Sequence, residues 1–195
     1  MRATYAIRLL VLGAVIAILV FQTMQKPALL QHPALPSEHT GIATGSAVLG
    51  VVTKSADCVT DGTLPDSSCT PGAIDPNVTQ DNIGSTICVS GYTKSVRPDV
   101  SVTNTIKTNV MIAYRDTGTK ADYELDHLIS LELGGCPDCV ANLWPEPYGI
   151  ALGAREKDKV ENYLRKQVCS GAISLSQAQS QIARDWVSVY RQLPQ

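Results

Sequence analysis

A chain of 195 residues has room for one modest domain and a tail. Its net charge of -2 excludes a polycation that grips nucleic acid over its whole surface, because the phosphate backbone rewards Lys and Arg. The hydrophobic content of 44% is inflated by the N-terminus, and six cysteines, an even number, favour disulfides in an exported chain.

Arg2 and Arg8 flank the start of an uncharged run from Leu9 to Gln25, apolar from Leu9 to Phe21 and closed by Lys26. A positive flank, an apolar core and a polar continuation read as an export signal. The core is shorter than the roughly 20 apolar residues of a membrane span. Residues 1–26 are therefore expected to be a cleaved signal peptide or an uncleaved signal anchor. The positive charges stay inside, so the remainder lies outside the cytoplasm: periplasmic, extracellular, or anchored to the inner membrane and facing outward. Residues 27–45 carry Pro27, Pro33 and Pro36 without a sustained period and read as a linker, in which His32 and His39 are solvated. Residues 46–195 form the exported domain.

Ser46 to Thr53 reads as a strand, Thr79 to Ile83 as a short helix, and Ile87 to Val89 as a short apolar strand. Cys58 and Cys69 flank a polar loop that a disulfide would brace. Thr93 to Lys120 is the most basic stretch of the domain, with Lys94, Arg97, Lys107, Arg115 and Lys120 against Asp99 and Asp116. It is either a solvated face or a phosphate-contacting surface, and Arg97, Lys107 and the later Lys157 are the candidate contacts. Ile106, Val110 and Tyr114 predict a helix over Thr103 to Tyr114.

The chemistry concentrates at Tyr123-Glu124-Leu125-Asp126-His127-Leu128-Ile129, which holds the domain's one histidine. The run alternates as a strand does. Gly134-Gly135 follows, then a short strand around Asn142-Leu143-Trp144-Pro145-Glu146-Pro147, then a helix from Ala154 to Val168 with Val160, Leu164 and Val168 on one stripe. Gly171 ends that helix, Ser174 with Gln177 opens another, and Trp186 belongs to its apolar face. Cys136-Pro137-Asp138-Cys139 has no second Cys-x-x-Cys with which to build a zinc site, and it opens no helix as a redox pair would. A local bridge is favoured. Among the connectivities that six cysteines allow, Cys58–Cys69, Cys136–Cys139 and Cys88–Cys169 are the favoured set.

Tyr123 to His127, Gly134-Gly135 and Asn142 together resemble the HNH, or ββα-metal, nucleases. The colicin-type DNases carry Tyr-Glu-Leu-His-His before a Gly-Gly loop, and the similarity spans Tyr123 to Asn162. Thr86 to Pro98, with Asp126 to Ile129 and Asn142 to Pro147, is also similar to a group of small exported bacterial proteins. The resemblance implies an α+β fold: a ββα-metal hairpin-helix core with additional helices and disulfide-braced loops. It implies an endonuclease acting on nucleic acid, DNA favoured over RNA, with a divalent metal ion and no nucleotide cofactor.

Hydrolysis of a phosphodiester needs water made nucleophilic, which an imidazole achieves by taking its proton. His127 is the candidate base, and the family position that orients the ring falls on Asn142. Negative charge builds on the phosphate and leaving oxygens, which a divalent cation stabilises. Asp126 is its candidate ligand. The family's last ligand is a His or Asn of the helix. This helix has no His, so Asp158 is the first choice, then Asn162 and Glu161. An all-oxygen set favours Mg²⁺ over zinc. Glu124 shares the face of Asp126 in a regular strand, and its counterpart in the resembling motif lies close to the site. The missing helix histidine and the acidic charge support an alternative, a non-catalytic disulfide-stabilised envelope module with a degenerate HNH fold.

Overall fold

The computed structural model describes residues 43–44 and 57–194. The export signal and the strand expected over Ser46 to Thr53 lie outside them. The described residues form a mixed α+β fold: a β-hairpin, surrounding helices and three disulfides.

Two short pieces come first, β1 (Ala43–Thr44) and β2 (Ala73–Ile74), paired in parallel. A 3-10 turn over Gln80–Ser85 precedes α1 (Tyr92–Val96) and α2 (Val100–Ala113). The hairpin is β3 (Tyr123–His127) against β4 (Leu143–Pro147), antiparallel, with Glu124 opposite Glu146 and Asp126 opposite Trp144. Pro145 and Pro147 are tolerated because, among the described residues, β4 has a single partner strand and its other edge makes no ladder. Two long helices follow, α3 (Ala154–Cys169) and α4 (Leu175–Tyr190).

The loop between the hairpin strands is folded back on itself. Single 3-10 turns at Leu131–Leu133 and Val140–Asn142 begin and end it. Gly134 leaves the first turn at φ +70°, a left-handed conformation that disfavours a side chain. A Cβ on Gly135 would lie 1.7 Å from the Ile129 carbonyl oxygen, so this position admits only glycine. The N–H of Cys136 donates to the Ala73 carbonyl at 2.9 Å and that of Asp75 to the Gly134 carbonyl at 2.8 Å, which ties the loop to β2.

The apolar stripe of α3, Val160, Leu164 and Val168, packs with Ile129, Leu133, Ile87 and the α4 face of Ala178, Ile182 and Trp186. Burial of these side chains supplies most of the driving force for docking the helices on the loop. Ser174 caps α4, its Oγ accepting from the Gln177 N–H at 3.2 Å. Asp185 interrupts α4 with a non-helical backbone, and its carboxylate accepts from the Ser188 N–H at 3.0 Å, as a cap does for a fresh helical segment. A second cluster joins Cys58, Ala113, Tyr114 and Trp144 beneath the hairpin.

The three disulfides are Cys58–Cys69, Cys88–Cys169 and Cys136–Cys139, the pairs named from the sequence. One expectation is overturned. Ile87 to Val89 is a turn and not a strand, because its backbone finds partners locally: the Cys88 N–H donates to Ile83 and the Val89 N–H to Thr86. Cys88 and Cys169 then pin this turn to the C-terminal end of α3.

Candidate functional site

A small recess of about 150 Å³ lies where β3, the hairpin loop, α1 and α3 meet. Glu124, Asp126 and His127 reach it from β3, Ser130 and Glu132 from the loop, Arg97 from the residue that ends α1, and Asp158, Glu161 and Asn162 from α3. The spacing of 158, 161 and 162 puts all three on one face of the helix. Asp126 and His127 are neighbours in a strand and would ordinarily face opposite ways. His127 is the last residue of β3, where the chain turns into the loop, and both line the same recess.

His127 is buried, and its Nε2 lies 2.9 Å from the Pro137 carbonyl oxygen. A carbonyl only accepts, so Nε2 carries the proton and the lone pair of the neutral ring is on Nδ1. Burial pushes the imidazole down to about 4, against the partial support of the Pro137 hydrogen bond and the Asp126 charge. At neutral pH the ring is therefore an uncharged base.

Asn142 does not touch that ring. It is fully buried, and its amide is consumed by backbone: Oδ1 accepts from the Ile129 N–H at 2.9 Å and the Ala73 N–H at 3.3 Å, while Nδ2 donates to the Ile129 carbonyl at 2.9 Å and the Cys136 carbonyl at 3.1 Å. It clamps the two ends of the loop that presents Pro137. Its influence on His127 is thus exerted through the loop.

Asp126 is engaged on both oxygens. The Trp144 indole N–H donates to Oδ2 at 3.0 Å and the Lys157 ammonium to Oδ1 at 3.0 Å. Lys157, named from the sequence as a phosphate contact, is fully buried, which removes it from any nucleic-acid surface. Its ammonium also donates to the His127 carbonyl at 2.8 Å and to Glu161 at 2.5 Å. Three acceptors meet its three N–H bonds. Burial alone would favour its neutral form, but the Asp126 and Glu161 charges hold its proton more tightly than usual. The sequence contained the signal: Lys157 is one turn before Val160 and Leu164 on the same stripe, so burial follows from the helical period.

Two further carboxyls escaped the sequence reading. Glu146 is fully buried opposite Glu124, and neither of its oxygens has a hydrogen-bond partner. Burial, reinforced by the nearby Asp126 charge, raises it to about 10, so it is protonated at neutral pH. Glu132 lines the recess with one oxygen unpartnered, raised by burial. Glu124, Glu161 and Asp158 are likewise raised, in each case by burial first; Asp126 adds to all three. Ser130 is buried in the recess wall with its hydroxyl unpartnered.

Of the basic run, Arg97 alone lines the recess. Lys107 donates to the Tyr123 carbonyl at 2.7 Å, and Lys120 to the Asn104 carbonyl at 3.1 Å; Arg115 pairs with Asp57. These hold the start of β3 and the ends of α2.

The donors around the recess are hard oxygens, which suit Mg²⁺ or Ca²⁺ and not zinc. The orphaned Ser130 hydroxyl and Glu132 oxygen are consistent with a missing polar occupant. The carboxylates do not converge to direct-coordination distance of one point. Among the described residues the one convergent His/Cys/Asp/Glu group is Cys136, Asp138 and Cys139, whose sulfurs are bonded to each other. A hydrated ion, keeping several waters, fits this arrangement. No family model, curated protein or solved structure matches the chain.

Proposed function

We propose that this protein is an exported, metal-dependent endonuclease of the HNH type, hydrolysing phosphodiester bonds with His127 as general base. The observation that carries the reading is the placement of His127: its Nε2 lies 2.9 Å from the Pro137 carbonyl oxygen, which leaves Nδ1 to act as the base, in a recess shared with Asp126 and the α3 oxygens. A base held in one tautomer beside the attacking water is what the reaction requires.

Charge explains the need for a cation. Glu124, Asp126, Glu132, Asp158 and Glu161 surround the recess, and among the lining residues Arg97 is the one permanent cation. A phosphate approaching that surface is repelled unless a cation lies between. Asp158, Glu161 and Asn162, with the free lone pairs of Asp126, would hold a hydrated Mg²⁺, which supplies charge to stabilise the phosphate oxygens. Arg97, exposed and at the mouth, would meet a phosphate oxygen. The hairpin followed by α3 is the strand–strand–helix order of such nucleases. DNA is the favoured substrate, by the resemblance to the colicin-type enzymes. Three disulfides fit the oxidising compartments outside the cytoplasm, and no helix among the described residues is long and apolar enough to cross a membrane.

One observation favours the non-catalytic alternative: Lys157 already compensates Asp126 and Glu161, as a metal would. Plasmid nicking separates the two. Cleavage with Mg²⁺ that stops in EDTA and weakens on Arg97→Ala supports the nuclease. Absence of cleavage with every divalent cation tried, on both DNA and RNA, leaves the envelope module.

A further inference from the structure

The Cys136–Cys139 bridge encloses Pro137, the residue whose carbonyl receives the His127 Nε2–H at 2.9 Å. Both cysteines are anchored in turn. The Cys136 N–H donates to Ala73 at 2.9 Å, its carbonyl accepts from Asn142 Nδ2 at 3.1 Å, and the Cys139 carbonyl accepts from the Asn142 N–H at 2.8 Å. The carbonyl facing the histidine is thereby fixed covalently and by hydrogen bonds on each side.

Global stabilisation does not explain this bridge well. Cross-linking residues separated by 3 removes far less chain entropy from the unfolded state than cross-linking residues separated by 81, as Cys88–Cys169 does. Its effect is local, and what is local is the His127 acceptor. An imidazole with no fixed partner exchanges between two tautomers, of which one alone leaves Nδ1 unprotonated.

We propose that the Cys136–Cys139 disulfide is a positioning element for His127: by holding the Pro137 carbonyl in place it selects the Nε2–H tautomer and keeps Nδ1 available as the base. This rests on the reading of His127 as general base. The Asn142 clamp and the disulfide then serve one end, each fixing the same short loop.

Ring ¹⁵N spectra of the full-length protein at neutral pH test it. Wild-type His127 should show a single Nε2–H tautomer. Cys136→Ser with Cys139→Ser should give a tautomer mixture, with nicking slowed by about tenfold or more, because a misprotonated base is inactive. If that variant does not fold, as judged by near-UV circular dichroism, a glycine inserted between Asp138 and Cys139 keeps the bridge while loosening the carbonyl, and the same mixture is expected. A single Nε2–H tautomer persisting in a folded variant overturns the proposal, as does an Nδ1–H ring in the wild type. A tautomer mixture with an unchanged nicking rate upholds the positioning and sinks the general-base reading.

Discussion

Lys157 sits on the same stripe of α3 as Val160, Leu164 and Val168, and an ammonium is tolerated there because Asp126, Glu161 and the His127 carbonyl meet all three of its N–H bonds. Removing the ammonium from such a buried network leaves buried carboxylates without their counter-charge. Lys157→Met should therefore lose roughly 3–5 kcal/mol at neutral pH, read from urea denaturation, and recover part of the loss in acid where the carboxylates are protonated. An unchanged midpoint would show the network to be energetically idle. Glu146 behaves oppositely. Its pKa is about 10 when folded against 4.5 as a free side chain, so between those values the native state binds the extra proton. Its contribution to stability is complete below the unfolded pKa and falls as pH rises towards 10. Glu146→Gln cannot ionise, so its urea midpoint should gain on the wild type between pH 6 and pH 9; a constant difference across that range would contradict the assignment. Asp126 and His127 were legible in the sequence because a lone Asp-His pair on an alternating run is conspicuous. Glu146 was not, because only the strand register puts it opposite Glu124 and inside the cluster.

At the level of elements, the order strand, Gly-Gly loop, strand, helix could be read from alternation, glycine and the 3.6-residue stripe, and those elements are present as β3, β4 and α3. The loop's internal design could not. Asn142 serves backbone groups spread from Ala73 to Cys136, a long-range closure that local sequence does not announce. Ile87 to Val89 was misread because short apolar runs do not distinguish a strand from a buried turn held by a disulfide. The kink at Asp185 was also invisible, since the apolar face of α4 continues across it. Gly135 tests how tightly this loop is built. With a Cβ 1.7 Å from the Ile129 oxygen, Gly135→Ala should cost on the order of 3 kcal/mol in chemical denaturation, while Gly84→Ala, where a Cβ meets nothing within 4 Å, should change little. Equal effects at the two glycines would contradict the close approach.

Across the whole molecule, a net charge of -2 is not a barrier to nucleic-acid chemistry once the acids are seen to gather around one recess. Under the proposed nuclease reading, the concentration of carboxylates makes a cation a condition of phosphate binding, and Arg97 is the one lining arginine to meet a phosphate. The even cysteine count indicated the bridges, but composition did not show that most of the basic run is occupied with holding backbone carbonyls and an aspartate. The central claim is that His127 takes a proton from the attacking water. Single-turnover cleavage of a labelled DNA duplex in saturating Mg²⁺ tests it most directly, comparing wild type with His127→Ala while Mg²⁺ affinity is followed by calorimetry. The account predicts a rate lower by roughly 10²–10⁴-fold with metal affinity nearly unchanged. A variant that cleaves within about threefold of wild type, well short of what loss of a general base removes, would contradict it.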